Sequence, residues 1–480
     1  MLLHPDECYR AWAARDARFD GRFYTGVTST GVYCRPVCTA RLAKREHCLF
    51  FPSAAAAEAA GFRPCLICRP ERAPGQSPAE AGMRLADAAA MLIAEGVLED
   101  GGLEALGERL GVSARHLRRV FRARFGVTPV AYAQTRRLLL AKALLTDTAM
   151  SVTDVAYASG FSSLRRFNAL FAGRYRLAPS ALRREGAHAA ADAAELELGF
   201  RPPYDWEGLL GFLGARAVPG VEDVADGAYH RTLRLWRKGA AHAGWFAAIR
   251  AADKNTLRVS VSAGLLPVLP AVLSRVSQLF DLGCDPEAVA HGLGELAAGH
   301  EGVRLPGTAD GFETAVRAIL GQQITVAAAR TLAGRFAAAF GDPVATPHGA
   351  LTTIFPDAGR VAALTTDAIA SLGIIASRAD AILALARAVR DGGLTLARTA
   401  DLTASCEALR ALPGVGEWTT QYIAMRALGW PDAFPHTDGG VKKALGESDP
   451  RRILALAEAW RPWRAYAVMH LWRTLHGEEK

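Results

Sequence analysis

The sequence contains no long hydrophobic segment, and this absence limits where the protein can work. None of the apolar stretches in its 480 residues approaches the roughly 18 residues that a membrane-spanning helix requires. Polar residues between His4 and Arg10 interrupt the N-terminal apolar run, so the pattern of a signal peptide is missing as well. These absences favour a cytoplasmic protein with no membrane partner.

Cysteine and acidic side chains are both in short supply. A reducing compartment disfavours a disulfide framework, so metal or thiol chemistry fits the eight cysteines better. Lysine and arginine number 56 against 48 aspartates and glutamates, which gives a formal net charge of +8 and a pI near 9.2. This excess favours a polyanionic partner, although many proteins are mildly basic without a nucleic-acid role.

A single hydrophobic core cannot organise a chain of this length, which predicts about three or four domains. The boundaries are marked by a Pro- and charge-rich segment at 69–80 and an alanine-rich segment at 187–194. A third, less distinct boundary lies near 299–310. The predicted domains are 1–76, 82–186, 194–304 and 305–480.

Hydrophobic periodicity indicates which of these domains are helical. Helical spacing covers 82–184 and again the chain from 311 onward. Two segments between these regions, 228–236 and 255–264, alternate more like strands. The sequence therefore predicts a multidomain fold that is mainly α with α+β parts.

Four cysteines stand in two close pairs. Cys34 and Cys38 lie in "TGVYCRPVC", and Cys65 and Cys68 lie in "RPCLICRP", with 26 residues between the pairs. Two such pairs suit the tetrahedral coordination of one Zn²⁺ ion. The alternatives are four buried structural cysteines and a purely structural zinc ribbon.

The sequence around the cysteines, "STGVYCRPVCTARLAKREHCLFF" followed by "AAGFRPCLICRPE", resembles the methylphosphotriester-repair domain of the Ada family over roughly 5–72. The resemblance implies that Cys34 is both a zinc ligand and the acceptor of a methyl group, and that the other three cysteines complete the zinc site. A zinc-bound sulfur stays deprotonated and nucleophilic. Because nothing regenerates the thiolate, transfer would happen once per protein molecule.

Methylation of Cys34 is expected to act as a switch. Zn²⁺ with four thiolates has a net charge of about −2, which becomes about −1 when one sulfur is a thioether. Repulsion of DNA phosphates would then weaken, and Arg41, Lys44 and Arg45 would be freer to hold phosphate. The expected outcome is activated transcription, with RNA polymerase as a partner.

The middle of the chain contains an arginine-rich repeat. "LEALGERLGVSARHLRRVF" at 103–121 predicts a helix, a turn at Gly111, a capping Ser113 and a second helix. The pattern returns after 50 residues, so that Phe171 matches Phe121. Arginines on a single helix usually mark only a face exposed to solvent. Two arginine-bearing helices at matching positions of a repeat favour DNA contact instead. The predicted DNA-contacting residues are Arg115, Arg118, Arg119, Arg165 and Arg166.

This repeat resembles the AraC-type DNA-binding domain, in which two helix-turn-helix units read successive major grooves. Ada proteins carry the same domain at the same place. The family's C-terminal alkylguanine methyltransferase, with its Pro-Cys-His-Arg motif, has no counterpart in this sequence. A different module therefore follows the repeat.

A glycine-containing hairpin motif, "LPGVG", lies at 412–416 between two predicted helices. Its glycines let backbone N–H groups at a helix N-terminus approach a DNA phosphate, and a monovalent cation is expected at the same hairpin. A lone motif of this kind could be just a turn. Asp438 follows Gly416 by 22 residues, however, and a hairpin with a trailing aspartate is the signature of helix-hairpin-helix glycosylases.

The flanking sequence narrows this resemblance. "LGFRPPYDWEGLLGFLGARAVPGVE" at 198–222, "GFETAVRAILGQQITVAAA" at 311–329 and "AEAWRPWRAYAVMHLW" at 457–472 are similar to AlkA-like 3-methyladenine glycosylase II. The similarity runs from about Glu195 to Gly477. It implies an α+β N-terminal domain followed by an all-α glycosylase domain.

The same resemblance assigns roles to single residues. Asp438 is the expected catalytic carboxylate, and it can also cap the helix that begins in "DGGVKKAL". Trp418, Tyr422 and Trp472 are expected to line the pocket for the flipped base, although aromatic residues at helical spacing are more often core. The expected DNA contacts in this half are Gln323, which would fill the gap left by the base, Gly414 and Gly416.

The implied reaction is hydrolytic release of an N-alkylated base. Such a purine is cationic and a good leaving group, and indole and phenol faces attract it. Ionised Asp438 would stabilise the oxocarbenium sugar and orient or deprotonate the attacking water. Lyase-type relatives carry a lysine at the position of Trp418, so a monofunctional enzyme is expected.

These patterns together predict a fusion of an Ada-type zinc domain and an AraC-type domain with an AlkA-like glycosylase. Its partners would be alkylated and promoter double-stranded DNA. The rival hypothesis is a transcriptional regulator with a structural zinc site and a non-catalytic, damage-sensing glycosylase-like module. Asp438, the hairpin and the pocket aromatics favour the enzyme.

Overall fold

The computed structural model describes residues 4–73, 85–182, 193–398 and 401–477. The protein is multidomain and helix-rich, with a four-stranded and a five-stranded sheet, which confirms the predicted fold class. Within these ranges, no helix combines the length and the apolar character needed to cross a bilayer. The predicted linkers at 69–80 and 187–194 lie largely outside the described residues.

The N-terminal part is a small sheet flanked by two helices. Its elements are α1 Pro5–Ala13, β1 Tyr24–Val27, β2 Val32–Cys34, β3 Cys48–Phe51, α2 Ala54–Ala59 and β4 Arg63–Pro64. The strand order is β3-β1-β2-β4, with β4 parallel to β2 and the other pairs antiparallel. Cys8 and Cys48, which fall outside the paired spacing, are buried in the core around Trp12.

Between residues 85 and 182, six helices form the middle part, and the second of them is kinked at Gly102 (φ +73°). They are α3 Leu85–Ala94, α4 Val97–Arg109, α5 Ala114–Phe125, α6 Pro129–Asp147, α7 Val152–Ala158 and α8 Leu164–Tyr175. The helices α5 and α8 have 12 residues each and keep the 50-residue offset of the sequence repeat. Ser113 and Ser163 cap their N-termini, and both helices end at a left-handed residue, Gly126 (φ +76°) and Arg176 (φ +55°).

A five-stranded antiparallel sheet with three helices follows. The elements are β5 Ala193–Gly199, α9 Trp206–Gly214, β6 Glu222–Ala225, β7 Ala228–Arg237, β8 Ala240–Arg250, β9 Thr256–Ser262, α10 Leu269–Leu279 and α11 Pro286–Leu293. The strand order is β5-β9-β8-β7-β6. The strands predicted at 228–236 and 255–264 are confirmed as β7 and β9.

The C-terminal part, as described over 305–398 and 401–477, is helical apart from one short strand pair. Its elements are α12 Gly311–Leu320, α13 Val326–Phe340, β10 Asp342–Pro343, β11 Thr353–Ile354, α14 Ala358–Ala362, α15 Thr366–Ala370, α16 Ala376–Arg390, α17 Leu402–Arg410, α18 Glu417–Arg426, α19 Gly439–Leu445, α20 Pro450–Ala457 and α21 Arg464–Gly477. Buried residues of these helices form one large apolar core, which also includes Val218 and Val221 from the preceding part.

The two helix-turn-helix units share their apolar cores with different neighbours. In the first unit, Leu117 and Phe121 belong to one cluster with Ala55 of α2. In the second unit, Phe171 belongs to one cluster with Leu196 and other residues of the five-stranded sheet. The middle part is therefore joined by apolar packing to the structures on both sides of it.

A buried carboxylate also links the N-terminal part to the second unit. Glu58 of α2 accepts hydrogen bonds from Tyr33 of β2 (3.1 Å), Thr135 of α6 (2.9 Å) and Tyr175 of α8 (3.4 Å). Burial raises the pKa of Glu58 to about 7. A strand that carries a candidate metal ligand is thus connected through one side chain to a candidate recognition helix.

Candidate functional site

The structure brings the four predicted zinc ligands together. The Sγ atoms of Cys34, Cys38, Cys65 and Cys68 all lie within 4.8 Å of one another, and those of Cys38 and Cys65 are 3.9 Å apart. Tetrahedral zinc with Zn–S bonds of about 2.3 Å places sulfurs at about 3.8 Å. The first three cysteines are buried and Cys68 is half-buried, so this donor set fits one Zn²⁺ ion.

Arg35, which the sequence analysis did not single out, holds the cysteine loops in place. Its backbone N–H donates to Cys68 Sγ (3.3 Å), and its guanidinium donates to Cys68 O (2.9 Å) and pairs with buried Asp20. The side chain is therefore occupied and cannot reach DNA. Arg41 is exposed, as a DNA contact requires, whereas Arg45 pairs with Asp6 at 3.0 Å.

The predicted DNA-contacting arginines lie on the exposed faces of α5 and α8. Phe121 and Phe171 are fully buried on the opposite faces. In the part of the chain that the structure describes, none of these five arginines forms an ion pair, so their charges are available to phosphates and bases. The five arginines are Arg115, Arg118, Arg119, Arg165 and Arg166.

A half-buried carboxylate is held by two indole rings at the start of α19. Asp438 Oδ2 accepts a hydrogen bond from Trp418 Nε1 (2.8 Å), and Oδ1 accepts from Trp472 Nε1 (2.9 Å) and from the backbone N–H of Val441 (3.0 Å). The last bond caps the helix, which is the other role that the sequence suggested for this residue.

The aromatic side chains expected in a base pocket surround this carboxylate. The rings of Trp418 and Tyr422 stack at 5.3 Å, and Tyr422 lies 6.4 Å from Trp472. Phe212, from α9 of the preceding part, stacks on Trp472 at 6.1 Å with an interplanar angle of 11°. Phe212 was not predicted from the sequence, because it is 260 residues away from its ring partner.

Two arginines that were also missed from the sequence lie against these rings. The guanidinium carbon of Arg216 is 3.9 Å from the ring centre of Phe212, and that of Arg426 is 5.7 Å from the ring centre of Tyr422. Burial raises the pKa of Tyr422, but the positive charges of Arg426, Arg216 and a third arginine outweigh it and lower this pKa. A basic residue one helical turn after a pocket aromatic is the signal that could have found Arg426.

Gly440 permits the close approach of an indole ring to the carboxylate. A Cβ atom at this position would lie 2.9 Å from Trp472 Cδ1 and 3.0 Å from Asp438 Oδ1. Any larger side chain would therefore push Trp472 or Asp438 away. The Gly439-Gly440 pair is therefore compatible with the hydrogen bonds that Asp438 accepts.

The hairpin joins α17 to α18 as predicted. Gly414 has φ +75°, which favours glycine, and open space surrounds the Cα of Gly416 at the N-terminus of α18. The side chain of Gln322 donates to Gly414 O (2.8 Å) and to Thr419 Oγ1 (2.9 Å). The neighbouring Gln323 is exposed, with φ +56°, in the turn between α12 and α13.

Comparisons with protein-family models match four segments of the chain. They are the metal binding domain of Ada at 7–71, a helix-turn-helix domain at 106–185, the AlkA N-terminal domain at 195–310 and the HhH-GPD superfamily of base excision DNA repair proteins at 316–450.

Similar proteins cover the same segments. A relative from Mycobacterium tuberculosis, named "Probable bifunctional transcriptional activator/DNA repair enzyme AlkA", is 41% identical over 98% of this chain and 97% of its own length. DNA-3-methyladenine glycosylase 2 of Escherichia coli is 40% identical over 58% of this chain and 96% of its own length. The solved structure of a 3-methyladenine DNA glycosylase from Archaeoglobus fulgidus, 22% identical, covers 58% of this chain and 97% of its own with a TM-score of 0.50, which shows the fold of that region.

The domains and sites define a class of protein in which an Ada-type zinc domain and a helix-turn-helix domain precede a helix-hairpin-helix glycosylase. The chain belongs to the Ada–AlkA family of bifunctional transcriptional activator/DNA repair enzymes. The family resemblance inferred from the sequence motifs is thereby confirmed.

Proposed function

We propose that this chain removes alkylated bases from DNA and regulates transcription in response to methylated DNA phosphates. The observation that carries the glycosylase proposal is the position of Asp438 between two indole N–H groups in an aromatic pocket. The relatives in Mycobacterium tuberculosis and Escherichia coli are named as a DNA repair enzyme and as a 3-methyladenine glycosylase, which supports the same activity.

The geometry supports a specific role for each oxygen of Asp438. A carboxylate offers about four lone-pair positions, and Oδ1 already accepts two hydrogen bonds while Oδ2 accepts one. Oδ2 thus retains a lone pair that can accept a proton from the attacking water. The negative charge stabilises the oxocarbenium sugar as the C–N bond breaks, the base leaves with the bonding electrons, and water adds to C1′.

Binding of DNA would precede this step. The backbone N–H groups after Gly414 and Gly416 would hold a phosphate, aided by a monovalent cation at the hairpin, and exposed Gln323 would fill the gap left by the flipped base. Trp418, Tyr422 and Trp472 would receive the base. Since Trp418 stands where lyase-type relatives have a lysine and its N–H is bound to Asp438, no Schiff base forms there.

The N-terminal part would act once on a methyl phosphotriester. Zn²⁺ held by Cys34, Cys38, Cys65 and Cys68 would keep their sulfurs deprotonated at neutral pH. Cys34 Sγ attacks the methyl carbon, an S–C bond forms, the O–CH₃ bond breaks, and its electron pair restores the phosphate charge. The methyltransferase activity is supported by the Ada metal-binding match and by the clustered sulfurs.

Regulation would follow from the charge lost on methylation. A cluster charge that changes from about −2 to about −1 reduces repulsion of phosphates next to exposed Arg41. The arginines of α5 and α8 would then hold a promoter, and RNA polymerase would be recruited. The hydrogen bonds of Glu58 to Tyr33 and Tyr175 supply a physical connection between the two regions. We also propose that the boundaries between the four domains lie at 76–82, 186–194 and 304–305.

The test is base release from DNA treated with a methylating agent, followed by mass spectrometry of the same protein. We expect free methylated purines, an abasic product that borohydride does not trap on the protein, and one added methyl group on Cys34. Binding to the damaged DNA without any release would instead support the regulator with a damage-sensing module.

A further inference from the structure

Two histidine rings meet where the five-stranded sheet contacts the C-terminal part. His230 lies on β7, and His348 lies on the segment between β10 and β11. Their ring centres are 4.4 Å apart, with an angle of 44° between the ring planes. Neither residue belongs to the cysteine cluster or to the aromatic pocket, so the pair is unexplained by the sites described above.

Each of the two rings contains one nitrogen that is shielded from solvent and has no hydrogen-bond partner among the described residues. These atoms are Nδ1 of His230 and Nε2 of His348. A buried polar atom without a partner costs free energy, because the hydrogen bond to water that it loses on folding is not replaced. A bound ion at these nitrogens would remove that cost.

Both rings are held in place by the structure around them. His230 is fixed by the ladders that pair β7 with β6 and β8. The backbone of His348 is held by Thr346, whose Oγ1 accepts from His348 N (3.2 Å) and donates to His348 O (2.8 Å). The ring of Trp245 on β8 lies against His348 at 4.7 Å and nearly perpendicular to it. The pair is therefore preorganised, which lowers the entropic cost of binding.

The chemistry of this pair favours a metal cation. Neutral imidazole binds zinc, nickel and copper ions, and burial lowers the pKa of His230 and of His348, which keeps both rings neutral at pH 7. Asp223 is the direct partner of His230 in the pairing of β6 with β7, and its negative charge acts on both rings. Within the described ranges this carboxylate forms no ion pair, so its charge is available to a cation.

The separation of the rings is compatible with one shared ion. A nitrogen ligand lies about 2.0–2.1 Å from such a metal, which puts each ring centre about 3.2 Å from it. Ring centres 4.4 Å apart then subtend about 90° at the ion, the angle between neighbouring ligands in octahedral or square-planar coordination. In the part of the chain with described placement, only the four cysteines bring three or more ligand atoms this close together. Water or a rotated Asp223 would therefore complete the coordination.

We propose that His230 and His348 bind one divalent transition-metal ion at a second metal site, which joins the five-stranded sheet to the C-terminal part. The site is separate from the cysteine cluster and depends neither on base release nor on methyl transfer. The same contact contains the hydrogen bond from Thr232 Oγ1 to Thr353 O (2.7 Å). An ion that binds only when both histidines are together stabilises this contact against unfolding.

The test is a calorimetric titration of the full chain with Ni²⁺, after the cysteine cluster has been filled with one equivalent of Zn²⁺. We expect His230→Gln and His348→Gln each to weaken Ni²⁺ binding by at least about 10-fold, since loss of a ligand costs no less than loss of a group that orients one. The control His242→Gln makes the same change on β8 of the same sheet and should bind Ni²⁺ like the wild type.

Thermal unfolding separates loss of metal binding from loss of folding. Without Ni²⁺, both histidine variants should unfold near the wild-type temperature, and with Ni²⁺ only the wild type and the control should be stabilised. Unchanged Ni²⁺ binding in the two histidine variants, or no effect of Ni²⁺ on wild-type unfolding, would overturn the proposed site. Loss of binding in Asp223→Asn alone would place the ion on that carboxylate and would also overturn the histidine pair.

Discussion

The two groups that we propose as reactive, the sulfur of Cys34 and the carboxylate of Asp438, are held by the protein in different ways. The sulfur of Cys34 is buried in a cluster of four cysteine sulfurs, and a bound Zn²⁺ ion would balance their charge as thiolates. The carboxylate of Asp438 is half-buried and alone, fixed by two indole N–H groups and one backbone N–H. In the proposed reactions a transferred methyl group would stay on sulfur, whereas the carboxylate would be unchanged after each release. The first arrangement suits a lasting signal and the second suits repeated catalysis.

Loss of the cysteine sulfur gives the largest expected effect. Cys34→Ser should abolish methyl transfer completely, because a hydroxyl is not ionised at neutral pH and a zinc ligand is lost. Intact-protein mass after exposure to DNA with methyl phosphotriesters measures this. The control Cys48→Ser changes a buried cysteine outside the cluster and should still gain one methyl group. Base release by Cys34→Ser should stay within about twofold of the wild type; a large loss would show that the two centres depend on each other.

Loss of the carboxylate charge comes next. Asp438→Asn should slow base release by about 10²–10³-fold or more while damaged DNA is still bound. The asparagine oxygen can keep the helix cap, but its NH₂ group would face an indole N–H. The matched control is Asp449→Asn, the same change at the N-cap of α20. Release at nearly the wild-type rate would contradict the catalytic role of Asp438, and methyl transfer should be unaffected.

Loss of a recognition arginine should have a smaller effect, confined to the N-terminal half. Arg118→Ala and Arg165→Ala should each weaken promoter binding by about 1–3 kcal/mol, since one base contact is lost. Titration of promoter and random DNA at matched salt separates sequence-specific from phosphate binding. Equal losses on both DNAs would argue against base recognition, and a parallel loss of base release would contradict the separation of the halves.

The smallest expected effect compares the two helix-turn-helix units with each other. Arg176→Gly should stabilise the second unit by about 1 kcal/mol, because its left-handed backbone favours glycine. The reciprocal change, Gly126→Ala, should destabilise the first unit by at least as much, since the new Cβ would also lie 3.2 Å from Cβ of Ala56. Calorimetric unfolding of the full chain measures both. If both substitutions changed the free energy of unfolding in the same direction, the C-caps of the two helices would not be equivalent.

Local patterns in the sequence predicted the elements that depend on local physics. Ser113 and Gly111 mark the turn before α5 because capping and left-handed backbone depend on neighbouring residues. The spacing of the cysteines is also a local pattern, because the two members of each pair are separated by one tight turn. It therefore predicted that their sulfurs lie close together.

Contacts between distant segments could not be predicted in this way. Arg216 and Phe212 come from one domain and meet Trp472 at the other end of the chain. No spacing rule connects them. The indole donors on Asp438 were expected only as pocket walls, because a sequence shows the ring but not the direction of its N–H. The pairing of Arg35 with Asp20 was also missed, because the sequence does not show which way a side chain points.

The apolar core that the second helix-turn-helix unit shares with the five-stranded sheet sets an order of events during synthesis. The unit ends with α8 at Tyr175, but the sheet is complete only when β9 has been made, at Ser262. At about 5–20 residues per second, a ribosome needs roughly 4–17 s for this stretch. During that time the nascent second helix-turn-helix unit lacks the sheet residues of its apolar cluster, and this cluster is complete only once β9 has emerged.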